Sequence, residues 1–545
     1  MKIIDREQAA ALVQDGWTVA SAGFVGAGHA EALTSALEER FLATAHPRDL
    51  TLVYSAGQGD RATRGVNHFG NPGMTRTVCG GHWRSATRLI RMALDEQCEA
   101  YSLPQGVITH LYRAIAARAP GVLTRVGLHT FVDPRAELDP RHHGGAINQT
   151  GRDALAAGRR PWVEVLQLHG EDYLLYPTFP LHCALLRATT ADARGNLCMR
   201  GEPFHHEALA LAQAAHNSGG IVIAQVREVV DRHDALASIR VPGILVDYVV
   251  ETRDPRHHWM TFGEEHNPDY LQSWQGTGSR PSPAPAAAPA PLDARTIVQR
   301  RAVLEIARRR PGVVNLGVGM PAAVGGMANA AGLHGFTLTV EAGPIGGTPA
   351  DGLSFGAAAH PEAVVDQPAQ FDFYDGGGID LAVLGMAELD VEGNVNVSRF
   401  GEGKDALIAG VGGFINITSG AKALVFMGSF TAGGLRVEAG PGRLHIATEG
   451  RLQKVVRAVS HLSFNAAHAA RRGAAVVYIT ERGVFETRLD GDGTARLTLV
   501  EIAPGIDLQR DILDLCGGPV AVAEDLATMD PRLFDPEPLR LDSFA

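Results

Sequence analysis

Short β-branched runs alternate along the chain with longer, alanine-rich stretches. Leu50–Tyr54 (LTLVY), Gly220–Val226 (GIVIAQV), Phe336–Val340 (FTLTV), Ala423–Met427 (ALVFM) and Ala475–Ile479 (AVVYI) read as strands, and Glu31–Leu42 and Ala294–Arg309 as helices. Strands apolar on both faces and separated by helices predict open, parallel α/β sheets. One stretch breaks the pattern. Gly276–Pro291 reads GTGSRPSPAPAAAPAP; such proline density favours extended polyproline II, so the segment reads as a semi-rigid linker. At about 3.1 Å per residue it could span roughly 50 Å. The expected layout is therefore a first domain at 1–275, the linker at 276–291 and a second domain at 292–545.

An internal repeat supports two related α/β domains in tandem. TFPLHCALLRATTADARGN (178–196) aligns without gaps on GGGIDLAVLGMAELDVEGN (376–394). Asp192 falls on Asp390, and Gly195-Asn196 on Gly393-Asn394. Each copy predicts a buried strand running into a turn where Gly and Asn tolerate positive φ.

Composition narrows the function classes. The 545 residues carry a net charge of −11, which leaves no general basic footprint for nucleic acid. Glycine supplies 63 residues without a G-X-Y period, so the excess serves turns and close approaches of backbone. The five cysteines form no C-x-x-C pair, which argues against a disulfide framework or zinc site and fits a reducing compartment. The first residues, MKIIDREQAA, lack an apolar signal region, and no run reaches the 18 apolar residues of a membrane helix. The expectation is a cytoplasmic protein.

Several motifs invite chemistry. Gly23, Gly26 and Gly28 follow a strand and precede a helix, but their spacing is G-x-x-G-x-G and Asp49 lies before the next strand. A dinucleotide site fails on both counts; a generic anion cradle or a tight turn remains. Gly352-Leu353-Ser354-Phe355-Gly356 matches the G-x-S-x-G of hydrolases but follows a loop, not a strand. The pairs His142-His143, His205-His206 and His257-His258 read as loop or surface histidines, since adjacent residues point apart. Phe336–Pro349, FTLTVEAGPIGGTP, is more informative. It delivers Glu341 at the carboxyl end of a strand, where open α/β sheets bind ligands. A carboxylate there is placed to act as nucleophile or base; an exposed turn glutamate is the other reading.

VEAGPIGGTP, with NLGVGMP (315–321), GGGIDLAVLG (376–385), GNVNVS (393–398) and GVGGFINI (410–417), resembles the β half of the family I CoA-transferases. GFVGAG (23–28), LPQGVITHLYRAI (103–115), GLHTFVDPR (127–135), RATTADARGN (187–196) and VPGILVDYVV (241–250) resemble the α half. The single-chain layout is most similar to the propionate CoA-transferases among them. The resemblance implies a nucleophilic glutamate at Glu341 and a glutamine near the acyl carbonyl at Gln105. It implies CoA-contacting glycines at Gly317, Gly319 and the Gly410-Val411-Gly412-Gly413 turn, with Gly23, Gly26 and Gly28 as the glycine loop of the first half. One departure is mild and bears only on local packing: relatives more often carry aspartate where this chain has His182.

The activity so implied moves CoA from a short-chain acyl-CoA to a small carboxylate of the acetate or propionate class. It would run by ping-pong catalysis through a glutamyl-CoA thioester, without a metal or a permanently bound cofactor, in a homotetramer or homodimer. Acyl-CoA and small carboxylic acids are the expected partners, to the exclusion of nucleic acid and membrane. Acyl-CoA hydrolysis by the same glutamate, or ligand binding without catalysis, are the alternatives.

Overall fold

The computed structural model describes residues 1–274, 292–401 and 403–541. The segment read as a linker, Gly276–Pro291, lies outside the described residues. The chain packs as two compact units. The first comprises Met1–Ser273, Val340–Phe373 and Ser398–Asn416; the second is the described part of Trp274–Thr339, Tyr374–Val397 and Ile417–Ala545. This packing division differs from a cut at the proline-rich segment. Two stretches from beyond residue 292 belong to the first unit, and they carry Glu341 and Gly410–Gly413.

The first unit is built on eight strands: β1 (Lys2–Ile3), β2 (Thr18–Ser21), β3 (Leu50–Tyr54), β4 (Thr75–Gly80), β5 (Glu99–Ser102), β6 (Cys183–Asp192), β7 (Ile221–Val230) and β8 (Tyr248–Glu251). They lie in the order β1-β8-β7-β6-β2-β3-β4-β5. Along this path every neighbouring pair is parallel, and two short strands, Leu197–Cys198 and Ile239–Val241, join the same sheet antiparallel off it. The central strands are largely buried, with Val19, Leu52, Val53, Val78, Leu185 and Val222 each at most 1 % exposed, as suits a parallel sheet covered on both faces. Helices α1 (Glu31–Thr44), α2 (Gln105–Ala116) and α3 (Ala208–Asn217) follow β2, β5 and β6 in the chain. A three-stranded antiparallel sheet, formed by 121–124, 164–168 and 171–177, has no counterpart in the sequence reading.

The second unit opens with α4 (Ala294–Arg309). Asp293 caps it by accepting the Thr296 N–H at 2.8 Å, and Arg310 ends it in the left-handed conformation. Strands β9 (Val313–Leu316), β10 (Thr337–Thr339), β11 (Leu381–Gly385), β12 (Ala423–Met427), β13 (Ala475–Ile479), β14 (Gly483–Leu489), β15 (Ala495–Ile502) and β16 (Ala521–Thr528) follow. Their order is β10-β9-β11-β12-β13-β14-β15-β16. Five strands, β9 to β13, are parallel. Beyond them the sheet departs from the all-parallel expectation: β14 pairs antiparallel with both β13 and β15. Only Thr480, Glu481 and Arg482 separate β13 from β14, too few for a crossover and enough for a hairpin.

The two units share a topology. β2 lies between β3 and β6, and β9 between β10 and β11, so the aligned repeats occupy the same place in each sheet. Their turns are alike to the hydrogen bond. Asp192 Oδ1 accepts the N–H of Arg194 and Asn196, and Asp390 Oδ1 accepts that of Glu392 and Asn394. Gly195 and Gly393 take φ of 84° and 89°, a conformation that costs glycine nothing. The departure at His182 also finds its reason. Asp380, its counterpart, accepts the Val313 N–H at 2.9 Å, and His182 Nδ1 accepts the Thr18 N–H at the same distance. A neutral imidazole thus does in the first unit what a carboxylate does in the second.

Candidate active site

Four neighbouring parallel strands of the first unit deliver their carboxyl ends to one edge, where open α/β sheets bind ligands. β2 runs into the Gly23–Gly28 loop, β3 into Ser55, β4 into Gly80-Gly81, and β5 through Leu103-Pro104 into Gln105 at the start of α2. All these groups except Val25 are buried.

The Gly410–Gly413 turn docks onto this edge. The N–H groups of Val411 and Gly412 donate to the Gly81 carbonyl at 3.0 and 2.8 Å, and the Trp83 N–H donates to Ala409 at 2.7 Å. The Gln105 N–H donates to Gly412 at 2.9 Å, and that of Gly106 to Asn416 Oδ1 at 3.0 Å. The Gln105 side chain is 1 % exposed, and its amide Nε2 has no partner among the described residues.

Glu341 joins the same group. The turn that carries it is closed by Gly343 N–H donating to Val340 and Val340 N–H donating to Pro344. Gly343 has φ 125°, and a Cβ there would fall 2.0 Å from the Val365 carbonyl, so only glycine fits. A Cβ on Gly413 would lie 2.8 Å from the carboxyl carbon of Glu341 and 2.9 Å from its Oε1. The half-buried Glu341 forms no ion pair among the described residues, and burial alone lifts its carboxyl to about 7. The reading of Glu341 as a merely exposed turn residue gives way to a carboxyl wedged against glycine backbone.

Gly413→Ala is a clean probe of that wedge, because Gly413 does not have the positive φ that would strain alanine. We predict a loss of kcat on the order of a hundredfold, the scale of a misplaced reacting group, with little change in melting temperature. Wild-type kcat in this variant would remove Gly413 from the site.

The remaining glycines divide. Gly26 faces the Leu353 carbonyl, 2.2 Å from where a Cβ would sit, and Gly28 faces the His206 ring at 2.6 Å. Protein already fills the side-chain face of both. Gly317 and Gly319 follow β9 in the second unit; Gly317 N–H donates to Val383 at 2.9 Å, and the Gly319 carbonyl accepts from Arg295 at 2.9 Å. Glu341, Gln105 and Gly410–Gly413 are thus assembled in one unit, while Gly317 and Gly319 belong to the other.

Two motif readings are settled by their surroundings. Ser354 sits on a single 3₁₀ turn and not at a strand–helix elbow; its hydroxyl lies 2.8 Å from Thr261 Oγ1 and donates to Glu264 at 2.6 Å. The histidine pairs are not confined to the surface. His142, His206 and His258 are all under 4 % exposed, because the loops carrying them fold inward. Among the described residues no cluster of His, Cys, Asp or Glu is placed to hold a metal, and no helix is long and apolar enough to cross a membrane.

The comparisons with known proteins agree with this architecture. A model of the coenzyme A transferase family matches residues 4–252. Caffeate CoA-transferase of Acetobacterium woodii is 40 % identical over 541 residues, which is 98 % of this chain and 97 % of that protein. The chain belongs to the coenzyme A transferase family. Acetate CoA-transferase YdiF of Escherichia coli K12 is 37 % identical over 98 % of this chain and 95 % of its own. A crystal structure of the acyl-CoA transferase YdiF from E. coli O157:H7, a thioester complex with CoA, superposes with a TM-score of 0.86 at 36 % identity. It covers 99 % of this chain and 97 % of that one. As a CoA-transferase, this enzyme moves CoA between acyl groups and carboxylates, with CoA thioesters as substrates, on an α/β fold with a largely parallel sheet in each domain.

Sequence reasoning passed over Ser55, Glu207 and Gln367, three buried polar side chains behind Gln105. Glu207 hides in HHEALALAQAA, which reads as an ordinary helix start, and no local pattern marks the other two.

Proposed function

We propose that Glu341 is the nucleophile of CoA transfer between short-chain acyl-CoA and small monocarboxylates of the acetate and propionate class. The observation that carries this reading is the Glu341 carboxyl itself. It is held against Gly413 without a cationic partner among the described residues, in the same unit as a buried glutamine amide that has no partner among them either. A cation would have lowered its basicity and blunted its attack.

In the first half-reaction the Glu341 carboxylate attacks the thioester carbonyl. CoA thiolate leaves and an acyl-glutamyl anhydride remains. The thiolate then attacks the glutamyl carbonyl of that anhydride, which releases the original acid as a carboxylate and leaves a glutamyl-CoA thioester. An incoming carboxylate runs the two steps in reverse. No proton is consumed overall, and the thioester energy is kept in a covalent bond throughout. Gln105 Nε2 and the glycine amides are the proposed donors to the developing oxyanions, each typically worth about 3–4 kcal/mol. Binding energy from the CoA moiety, drawn on in the transition state, supplies further acceleration.

The thioester complex of YdiF supports this course by analogy, at 36 % identity. The test is the kinetic form. Because the first acid leaves before the second binds, double-reciprocal plots of rate against acyl-CoA at several acetate concentrations should be parallel. Intersecting lines would remove the covalent role of Glu341. Equal rates of CoA release with and without acceptor would identify a hydrolase instead.

A further inference from the structure

A buried polar group lies behind the site just described. Ser55 at the end of β3, Glu207 at the start of α3, Gln367 and Tyr112 of α2 are each at most 1 % exposed. Ser55 Oγ donates to Glu207 Oε1 at 2.8 Å and lies 3.4 Å from Gln367 Oε1. The amide of Gln367 and the Tyr112 hydroxyl have no partner among the described residues; besides Ser55, the Glu207 carboxyl is approached by the backbone N–H groups of Gly23 and of Glu207 itself. Each such buried, unpartnered group costs on the order of 1–3 kcal/mol. An apolar set of the same size would be more stable, so stability alone does not account for these residues.

Glu207 stands at the root of two branches that reach the reacting groups. The first runs through Ser55, whose carbonyl is 2.0 Å from where a Cβ on Gly81 would sit. Gly81 in turn accepts the N–H of Gly412, and Gly412 accepts that of Gln105. The second runs through Gln367, whose backbone N–H donates to the His206 carbonyl, next to Glu207 in the chain. One helical turn beyond Gln367, the Phe371 ring lies 3.1 Å from the Cβ position of Gly413, the point where the Glu341 carboxyl is wedged.

We propose that Glu207 is a positioning residue for CoA transfer, setting through Ser55 and Gln367 the two backbone segments that hold Gln105 and Glu341 in register. The inference rests on the roles given to Glu341 and Gln105 above. Its chemistry adds a signature. Glu207 forms no ion pair with Lys, Arg or His among the described residues, the titratable side chain facing it is Tyr112, and burial lifts its carboxyl to about 8. It is therefore neutral at pH 7 and ionises above pH 8. There an uncompensated negative charge would oppose both the Glu341 carboxylate and the oxyanions of the reaction.

The experiment compares wild type with Glu207→Gln and Glu207→Ala in the full-length enzyme. Initial rates are measured from pH 6 to 9.5 with acetyl-CoA and propionate, alongside melting temperatures. For wild type, kcat should fall as the pH passes 8. Glu207→Gln, neutral at every pH and able to accept from Ser55, should keep at least a third of the pH 7 kcat and lose that alkaline fall. Glu207→Ala should lose kcat by about tenfold to a hundredfold, with KM for acetyl-CoA changed less than threefold. An unaltered alkaline limb in Glu207→Gln overturns the proposal, as does wild-type kcat in Glu207→Ala. Should the alanine variant fail to fold, the glutamine pH profile decides alone. Mass analysis of wild type after acetyl-CoA separates the two levels: absence of CoA on Glu341 refutes the nucleophile, whatever Glu207 does.

Discussion

Glu341→Gln is expected to lower kcat by about four orders of magnitude or more, the scale seen when a covalent nucleophile is removed, and to leave the fold intact. The swap is nearly isosteric, and the turn that carries residue 341 is held by backbone bonds among Val340, Gly343 and Pro344 that do not involve its side chain. Wild-type enzyme incubated with acetyl-CoA should gain the mass of bound CoA on the peptide containing Glu341, and the variant should not. A label on another residue, or retained activity in the variant, would refute the mechanism. Stability offers an independent check. Burial raises the Glu341 carboxyl to about 7, above its unfolded value, so the folded state binds the proton more tightly. That contribution is complete at low pH and is lost as pH rises through 7. Glu341→Gln, neutral throughout, should melt with wild type near pH 4, below the unfolded carboxyl value, and above it at pH 8. Equal melting temperatures at both pH values would mean that the carboxyl is better solvated than its surroundings imply.

Much of the fold is legible in the residues because the signals are local. Leu50–Tyr54, Ala423–Met427 and Ala475–Ile479 form strands with the bounds their β-branched runs suggest, and α4 spans the expected Ala294–Arg309. The strand expected at 220–226 runs on to Val230, where Arg227 and Glu228 turn outward and blur the apolar signal. The antiparallel end of the second sheet is hidden for a different reason. Whether β13 and β14 pair as a hairpin depends on a three-residue connection, not on the composition of either strand. For the site, Glu341 is legible because a carboxylate among glycines at a strand end is rare. Glu207, Ser55 and Gln367 are not, because they come together only when β3, the start of α3 and the remote segment around Gln367 fold onto one another. The groups packed against the Cβ positions of Gly26 and Gly28, the Leu353 carbonyl and the His206 ring, are equally remote in sequence, so spacing alone could not tell an anion cradle from a close packing contact.

Severing the chain within the proline-rich segment should leave an active enzyme, whereas either piece alone should be inert. The reason lies inside the first packing unit, which takes Met1–Ser273 from one side of that segment and Val340–Phe373 with Ser398–Asn416 from the other. Its apolar cluster mixes Phe24, Ala56 and Phe204 with Ala342, Phe355 and Ala357. Its hydrogen bonds join the same pieces: Gln105 to Gly412, Gly106 to Asn416, Gln367 to His206, and Thr261 with Ser354. Residues 1–280 without their partner would expose that cluster and lack Glu341; residues 290–545 alone would lack Gln105 and the strands that seat the Gly410–Gly413 turn. A tether contributes to such an assembly only by raising effective concentration. Co-expressed as two chains, 1–280 and 290–545 should therefore co-purify and transfer CoA at a substantial fraction of the wild-type rate. The assay is acetyl-CoA to propionate transfer after affinity purification through a tag on either piece. Full activity in 290–545 alone would remove Gln105 from the site, and failure of the two pieces to associate would mean that the tether itself is needed to assemble the first unit.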